Sequence, residues 1–300
     1  MRIVTRPDFD GIVCAVLLFE ALEKDLSSKI LWIEPGEIQG EKADIREGDI
    51  LANLPWHPKS SLWFDHHVSN KPDQEFKGAF DIAPSAAGVV YEYYKALGKL
   101  TSRFDELVEN TDMIDSADLT LDQVKTPENY PWVLLSMTIK NEGYKDIDYW
   151  NRLVSLLRTR PDEPPVQDPE VRRRCEGVIR ENAEFTGHLK THTRIHGQIS
   201  VTDFRPLEVV PSGNRFLTYS LFPDTIASLK IRYKDKNKSQ VLISIGRSIF
   251  NRNCRVNVGR LLARYGGGGH AGAGGCTLDA KGAQEKIDEI LQVLMENQEG

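Results

Sequence analysis

The chain has 300 residues, 40% hydrophobic and 27% charged, which is longer than one core usually spans and excludes a largely disordered, collagen-like or integral membrane protein. No stretch approaches the roughly 18 uncharged apolar residues of a membrane helix. With 38 Lys and Arg against 44 Asp and Glu the formal net charge is −6, the wrong sign for a duplex-DNA binder.

The first residues, MRIVTRPDFDG, carry charges where a secretory signal needs an apolar core. Cys14, Cys175, Cys254 and Cys276 are scattered, with no CxxC pair, as suits a reducing compartment. The expectation is a cytoplasmic protein with neither duplex DNA nor a membrane as partner. A homodimer remains open.

Taken in order, Arg2 to Thr5 reads as a buried strand, and Gly11 to Leu22 as a helix packed under a sheet, being apolar on nearly every face. Lys29 to Ile33, Asp49 to Leu54 and Ser60 to Phe64 are further strands. Pro84-Ser85 precedes a second helix through Ala86, Val89, Val90, Tyr93 and Tyr94. The YEYY cluster there reads as core packing. This alternation implies an α/β fold with a mainly parallel sheet.

From about Ser102 to His196 helical periodicity replaces the strand signal, interrupted by the proline-rich RTRPDEPPVQDPE. Arg172, Arg173 and Arg174 read as a solvated helix face. Strand signals return in QISVTDF, RFLTYSLF, ASLKIRYKD and QVLISIG, the last two joined by a KDKNKS turn. A helical stretch, a glycine run, a short strand and a closing helix complete the chain. The expected organisation is a Rossmann-like domain over residues 1–130, a helical connector over 131–196, and a smaller α/β domain with a mixed sheet over 197–300.

Four groups carry chemistry. Asp8 and Asp10 follow the first strand in a turn forced by Pro7 and Gly11, where two carboxylates aimed at one point call for a cation. An Asp that merely caps the next helix is the plainer reading. Asp65-His66-His67 follows the strand SLWF, and in open parallel sheets functional groups gather beyond the carboxyl ends of strands. Two adjacent histidines after an Asp suggest imidazole ligation oriented by a carboxylate. Carboxylate and imidazole without thiolate favour Mn2+, Mg2+ or a similar ion over structural zinc. Asp112 and Asp115 lie three residues apart in NTDMIDSAD, and either could complete a metal site. The run GGGGHAGAGG is glycine in seven of ten positions, with His270 as its one polar side chain. Such backbone can approach an anion closely, as in a phosphate cradle.

Together, Asp8-x-Asp10, Asp65-His66-His67 and Gly267-Gly268-Gly269-His270 resemble the DHH phosphoesterase superfamily with its DHH-associated C-terminal domain, the group of nanoRNases and exopolyphosphatase-related proteins. The resemblance implies a catalytic domain with an Mn2+ pair and a second domain that binds substrate phosphate. Carried over by position, it makes Asp8, Asp10 and His66 metal ligands, with Asp112 as the fourth-motif ligand and Asp115 its rival. Asp65, His66 and His67 form the catalytic triplet, and Arg247, Gly267, Gly268, Gly269 and His270 hold substrate phosphate.

Two positions depart from the pattern. Val4 stands where the family usually has a histidine, and Asn53 (or, less well, Asp49) where it has a bridging aspartate. The cofactor expected is therefore one or two Mn2+ ions, with Mg2+ or Co2+ as substitutes.

The function implied is hydrolysis of short oligoribonucleotides or cyclic (di)nucleotides by a metal-dependent phosphoesterase. The runner-up is an exopolyphosphatase-like hydrolase of phosphoanhydrides. A phosphate-ligand binder that has lost catalysis, and a nuclease of long single strands, are the other readings. The last requires a basic groove that this acidic chain does not announce.

Overall fold

The computed structural model describes residues 2–23 and 29–298. The chain forms two compact units, Met1–Asp118 with Glu128–Glu176, and Leu119–Pro127 with Gly177–Gly300. It thus passes to the second unit, returns, and passes again within one long helix. The stretch expected as a connector, residues 131–196, is shared between the units.

In chain order the first unit begins with β1 (Ile3–Thr5), α1 (Phe9–Ala21), β2 (Ile30–Trp32), α2 (Pro35–Gln39), β3 (Asp49–Ala52) and β4 (Ser60–Asp65). Then come β5 (Gly78–Phe80), α3 (Ala86–Ala96) and α4 (Asp105–Asp115). Helix α5 (Leu121–Lys125) belongs to the second unit, after which α6 (Pro131–Met137), α7 (Ile147–Thr159) and the start of α8 (Pro169–His192) complete the first.

The five strands are all parallel, in the order β2-β1-β3-β4-β5. The order reverses between β1 and β3, so the loops leaving these strands diverge and open a crevice at their carboxyl ends. Helix α1 packs against α3, α4 and α7 as well as the sheet. That is why Ile12 to Leu18 are all buried and no polar face is needed. Behind β1 and β3, Val4, Leu51, Leu54 and Trp63 join Ile33, Ile38 and Ile45 in one cluster. The YEYY aromatics do pack in the core: Tyr91 and Tyr94 are buried, and Phe64 meets Tyr93 and Tyr94.

The edge strand β5 escapes the sequence reading because it is three residues long and begins with glycine. Gly78 has φ +119, and a Cβ there would run into the Trp63 carbonyl, so only glycine lets the strand pair with β4. Of the arginine run, Arg172 and Arg173 are exposed, Arg173 paired to Glu170, but Arg174 departs from the solvated face: it packs over the Tyr149 ring and pairs with Glu170 and Asp146.

The second unit continues with β6 (Thr193–His196), β7 (Ile199–Asp203), α9 (Leu217–Leu221), β8 (Ala227–Tyr233) and β9 (Gln240–Arg247). It closes with α10 (Val258–Ala263), β10 (Gly268–Gly269), β11 (Ala273–Asp279) and α11 (Ala283–Glu296). Its six strands run β10-β11-β9-β8-β7-β6, antiparallel except for the β7–β8 pair. Leu229, Ile231, Ile243, Ile245, Leu261, Ile287 and Ile290 are in its core. RFLTYSLF, expected as a strand, is the short helix α9, with Leu217, Thr218 and Tyr219 buried. Its apolar spacing suits one helical face as well as a strand, and an apolar run this short does not separate the two by period. Among the described residues no helix is long and apolar enough to cross a membrane.

Candidate metal centre

The carboxyl ends of β1, β3 and β4, the start of α3 and the last turn of α4 supply the groups of interest. Leaving β1, the chain turns through Arg6 and Pro7 to Asp8, which caps α1 by accepting from the Gly11 amide at 2.8 Å. Gly11 has to lack a side chain, since a Cβ would strike the Arg6 carbonyl. The two acidic residues therefore do not share one loop. Asp8 takes the capping role of the plainer reading, and Asp10 lies in the first turn of α1.

Asp10 is 2% exposed and receives the Ala86 amide at 3.0 Å and the Ala87 amide at 2.7 Å. Both amides open α3, where the unpaired N–H groups and the helix dipole favour an anion. The burial is deep enough that Asp10 is nonetheless pushed well above the usual carboxylate range, with Asp115 and Asp8 adding repulsion. Cys14, one turn on, contacts Asp10, and burial pushes its thiol well up.

Asp65 ends β4 fully buried, and its carboxylate is entirely engaged. One oxygen accepts from the His66 amide at 2.8 Å, the His67 amide at 3.2 Å and His67 Nδ1 at 2.8 Å, and the other accepts from Asn70 Nδ2 at 2.7 Å. Asp65 is thus the residue that orients the triplet, as a carboxylate behind an imidazole does. Its hydrogen bond raises the His67 pKa, outweighing the burial that lowers it.

His66 places Nδ1 2.9 Å from the Ala83 carbonyl. A carbonyl only accepts, so Nδ1 carries the proton and Nε2 carries the lone pair. Nε2 lies 3.4 Å from an Asp115 oxygen and 4.0 Å from an Asp10 oxygen, and it is buried without any hydrogen-bond partner. Asp10, His66 and Asp115 each offer a ligand atom within 4.8 Å of one another. Asp115 is pushed up to about 6, first by burial and then by Asp8. A buried lone pair facing two mutually repelling carboxylates is unfavourable until a cation enters, and nitrogen plus two carboxylates suits a divalent ion. The residues present therefore fit the metal.

Asp112, preferred by position, is elsewhere occupied. Its Oδ1 accepts from Ser85 Oγ at 2.5 Å, and Ser85 in turn caps α3 through the Gly88 amide at 2.9 Å. Being three residues earlier on α4, Asp112 braces the helix whose amides hold Asp10. Asp115, the rival, is the one brought to His66. Asn53, at φ +56 after β3, donates from Nδ2 to Asp8 Oδ1 at 3.0 Å and leaves its own Oδ1 buried and unpartnered. Asp49 is bound by Arg2 at the opposite end of the strand, at 3.1 and 2.7 Å, and is no part of the cluster.

In the second unit the glycine run is a tight hairpin rather than an open cradle. Gly268 pairs with Gly275 and Gly269 with Gly274. A Cβ on Gly267 would strike the Gly275 carbonyl and Cys276, and one on Gly269 the Ala273 carbonyl and Gly274. These glycines are needed for backbone contact inside the unit. His270 sits at the turn with its amide donating to Ala273 O at 2.8 Å, and it is exposed. Arg247 donates from Nε and Nη2 to Val256 O at 3.0 and 2.6 Å and from Nη2 to Arg255 O at 3.2 Å. Its guanidinium thus braces the loop before α10, a use that the carried-over phosphate role does not foresee.

Two charged neighbours go unnoticed in the sequence. Arg6 Nε lies 3.2 Å from Asp8 and 3.4 Å from Glu34. Glu34 lies two residues past the β2 end, the same signal that singles out Asp8 and Asp65, while Arg6 lies inside the TRPDFD segment itself.

No protein-family model matches the chain, and no curated protein matches it. Among solved structures, it is similar to a pGpG-specific phosphodiesterase, PggH from Vibrio cholerae, at 30% identity and a TM-score of 0.85, over 99% of each chain. An exopolyphosphatase-related protein from Bacteroides fragilis matches at 12% identity and a TM-score of 0.56, over 98% of this chain and 92% of that one. RecJ from Thermus thermophilus, solved in complex with Mn2+, matches at 12% identity and a TM-score of 0.56, over 99% of this chain and 52% of that one. The last two show a shared fold. With the Asp-His-His triplet at the end of β4 and one relative similar from end to end, the chain belongs to the DHH phosphoesterase family.

Proposed function

We propose that this protein is a metal-dependent phosphodiesterase that cleaves a short linear oligoribonucleotide of the pGpG type into mononucleotides. The observation that carries the reading is the buried, unpartnered His66 Nε2 between Asp10 and Asp115. The choice of substrate within the expected class rests on the likeness to the pGpG-specific enzyme over 99% of the chain. Mn2+ is the ion we favour, with Mg2+ as its substitute, and nucleotide turnover goes with a cytoplasmic location.

Asp10, His66 and Asp115 would hold the ion. When bound, it supplies a Lewis acid for the phosphate and lowers the pKa of a water. The protein's own groups do the rest. Ala83 O fixes the His66 tautomer, and Asp65 with Asn70 holds the triplet rigid. His67 keeps Nδ1 on Asp65, and its raised pKa suits it to carry a proton on Nε2 to the leaving 3′ oxygen. In the net reaction water adds to phosphorus, the P–O3′ bond breaks, and pGpG gives two GMP.

The test is incubation with Mn2+ and pGpG, cyclic di-GMP, a longer single-stranded RNA and polyphosphate, with products separated by chromatography. GMP from pGpG, far faster than release from the other three, is expected. Preferential release of phosphate from polyphosphate favours the runner-up, and no turnover of any substrate ends the enzyme reading.

A further inference from the structure

Two departures from the family pattern bear on the surroundings of Asp8. Val4 is fully buried, in the cluster with Ile33, Leu51, Leu54 and Trp63, so the place of the family's first histidine serves the core. Asn53 turns its NH2 group to Asp8 Oδ1, and since an ionised carboxylate only accepts, this orientation is fixed by chemistry. The same Asp8 oxygen already takes the Gly11 amide at 2.8 Å, and the other lies 3.2 Å from Arg6 Nε. Asp8 is therefore surrounded by nitrogen donors, where a divalent cation requires oxygen or imidazole lone pairs.

On the metal reading above, we propose that this centre is built for one divalent ion, and that the Arg6 guanidinium supplies the positive charge a second ion would bring to the substrate phosphate. The ion belongs with Asp10, His66 and Asp115. Arg6 is suited to the second role. Asp8 and Glu34 hold it at 3.2 and 3.4 Å, yet its side chain is 39% exposed. A guanidinium has five donors in a planar fork that matches phosphate oxygens, more than two carboxylate contacts use.

The experiment is a count of ions and a binding measurement, neither depending on turnover. The metal-free full chain is saturated with Mn2+, desalted, and counted by elemental analysis and native mass spectrometry. One ion per chain is expected. Two per chain overturns the proposal while leaving the phosphodiesterase reading intact, and none overturns both. In a second arm, Arg6→Gln should still take up one Mn2+, which also reports an intact centre. Its affinity for GMP, used as a probe that is not hydrolysed, should fall about ten- to a hundredfold by calorimetry, as for a lost hydrogen bond to a charged group. GMP affinity equal to the wild type refutes the role of Arg6.

Discussion

Replacing Asp115 by asparagine separates what the centre costs when empty from what it gains when filled. In the metal-free protein the Asp115 pKa is raised from 3.8 to about 6. For an acid whose folded pKa lies above the unfolded one, the folded state binds more protons between the two values, so stability falls as pH rises from about 4 to 6 and stays reduced above. The rise corresponds to about 3 kcal/mol. Because the side chain is 31% exposed, solvent screening leaves about 1–2 kcal/mol.

In Asp115→Asn the first unit should therefore melt higher than in the wild type in EDTA at neutral pH by about 2–8 °C, given about 2–4 °C per kcal/mol for a unit of this size. The gap should close as the pH approaches 4. Mn2+ should invert the order, since only the wild type keeps both carboxylates to bind it and ligand binding stabilises by mass action. The assay is thermal unfolding followed by circular dichroism with and without Mn2+ across that pH range. An asparagine variant that is no more stable in EDTA, yet gains as much from Mn2+ as the wild type, would refute the reasoning.

Other expectations follow from the same geometry. His66→Ala should retain its fold but lose at least about a thousandfold in kcat/KM on pGpG, and lose tight Mn2+ uptake by calorimetry, because it removes the one nitrogen ligand. Asp65→Asn should return the His67 pKa toward its ordinary value, moving the alkaline limb of the pH–rate profile to lower pH. Gly269→Ala, at φ +146 and in collision with the Ala273 carbonyl, should destabilise the second unit by about 2 kcal/mol or more in urea melts. Arg2→Ala strands buried Asp49 and should cost about 3 kcal/mol of stability while leaving the Mn2+ count unchanged, since that pair lies at the far end of β3.

The parallel sheet and the placing of the triplet are legible from sequence because strand ends and periodicity are local signals. β1, β3, β4, α1 and α3 lie close to where the pattern puts them, and Asp65-His66-His67 falls at a strand end as expected. The division of labour among the acidic residues is not legible. Asp112 and Asp115 share one side of α4, and which of them faces His66 depends on how that helix is rotated against α1 and α3, a tertiary property. The same holds for Asp8, whose capping role depends on α1 starting at Phe9 rather than Gly11. The hairpin in the glycine run is not legible either, because close backbone packing and anion binding both require an absent Cβ. Arg6 escapes because a charged residue in a turn carries no signal until its partners Asp8 and Glu34, contributed by different strand ends, are in place.

The central claim is that Asp10, His66 and Asp115 surround a divalent ion. Anomalous diffraction from crystals soaked in Mn2+, recorded at the manganese edge, tests it directly. The account predicts a peak within coordination distance of Asp10, His66 Nε2 and Asp115. A peak seated on Asp112 and Ser85, or none in the first unit at saturating Mn2+, would contradict it.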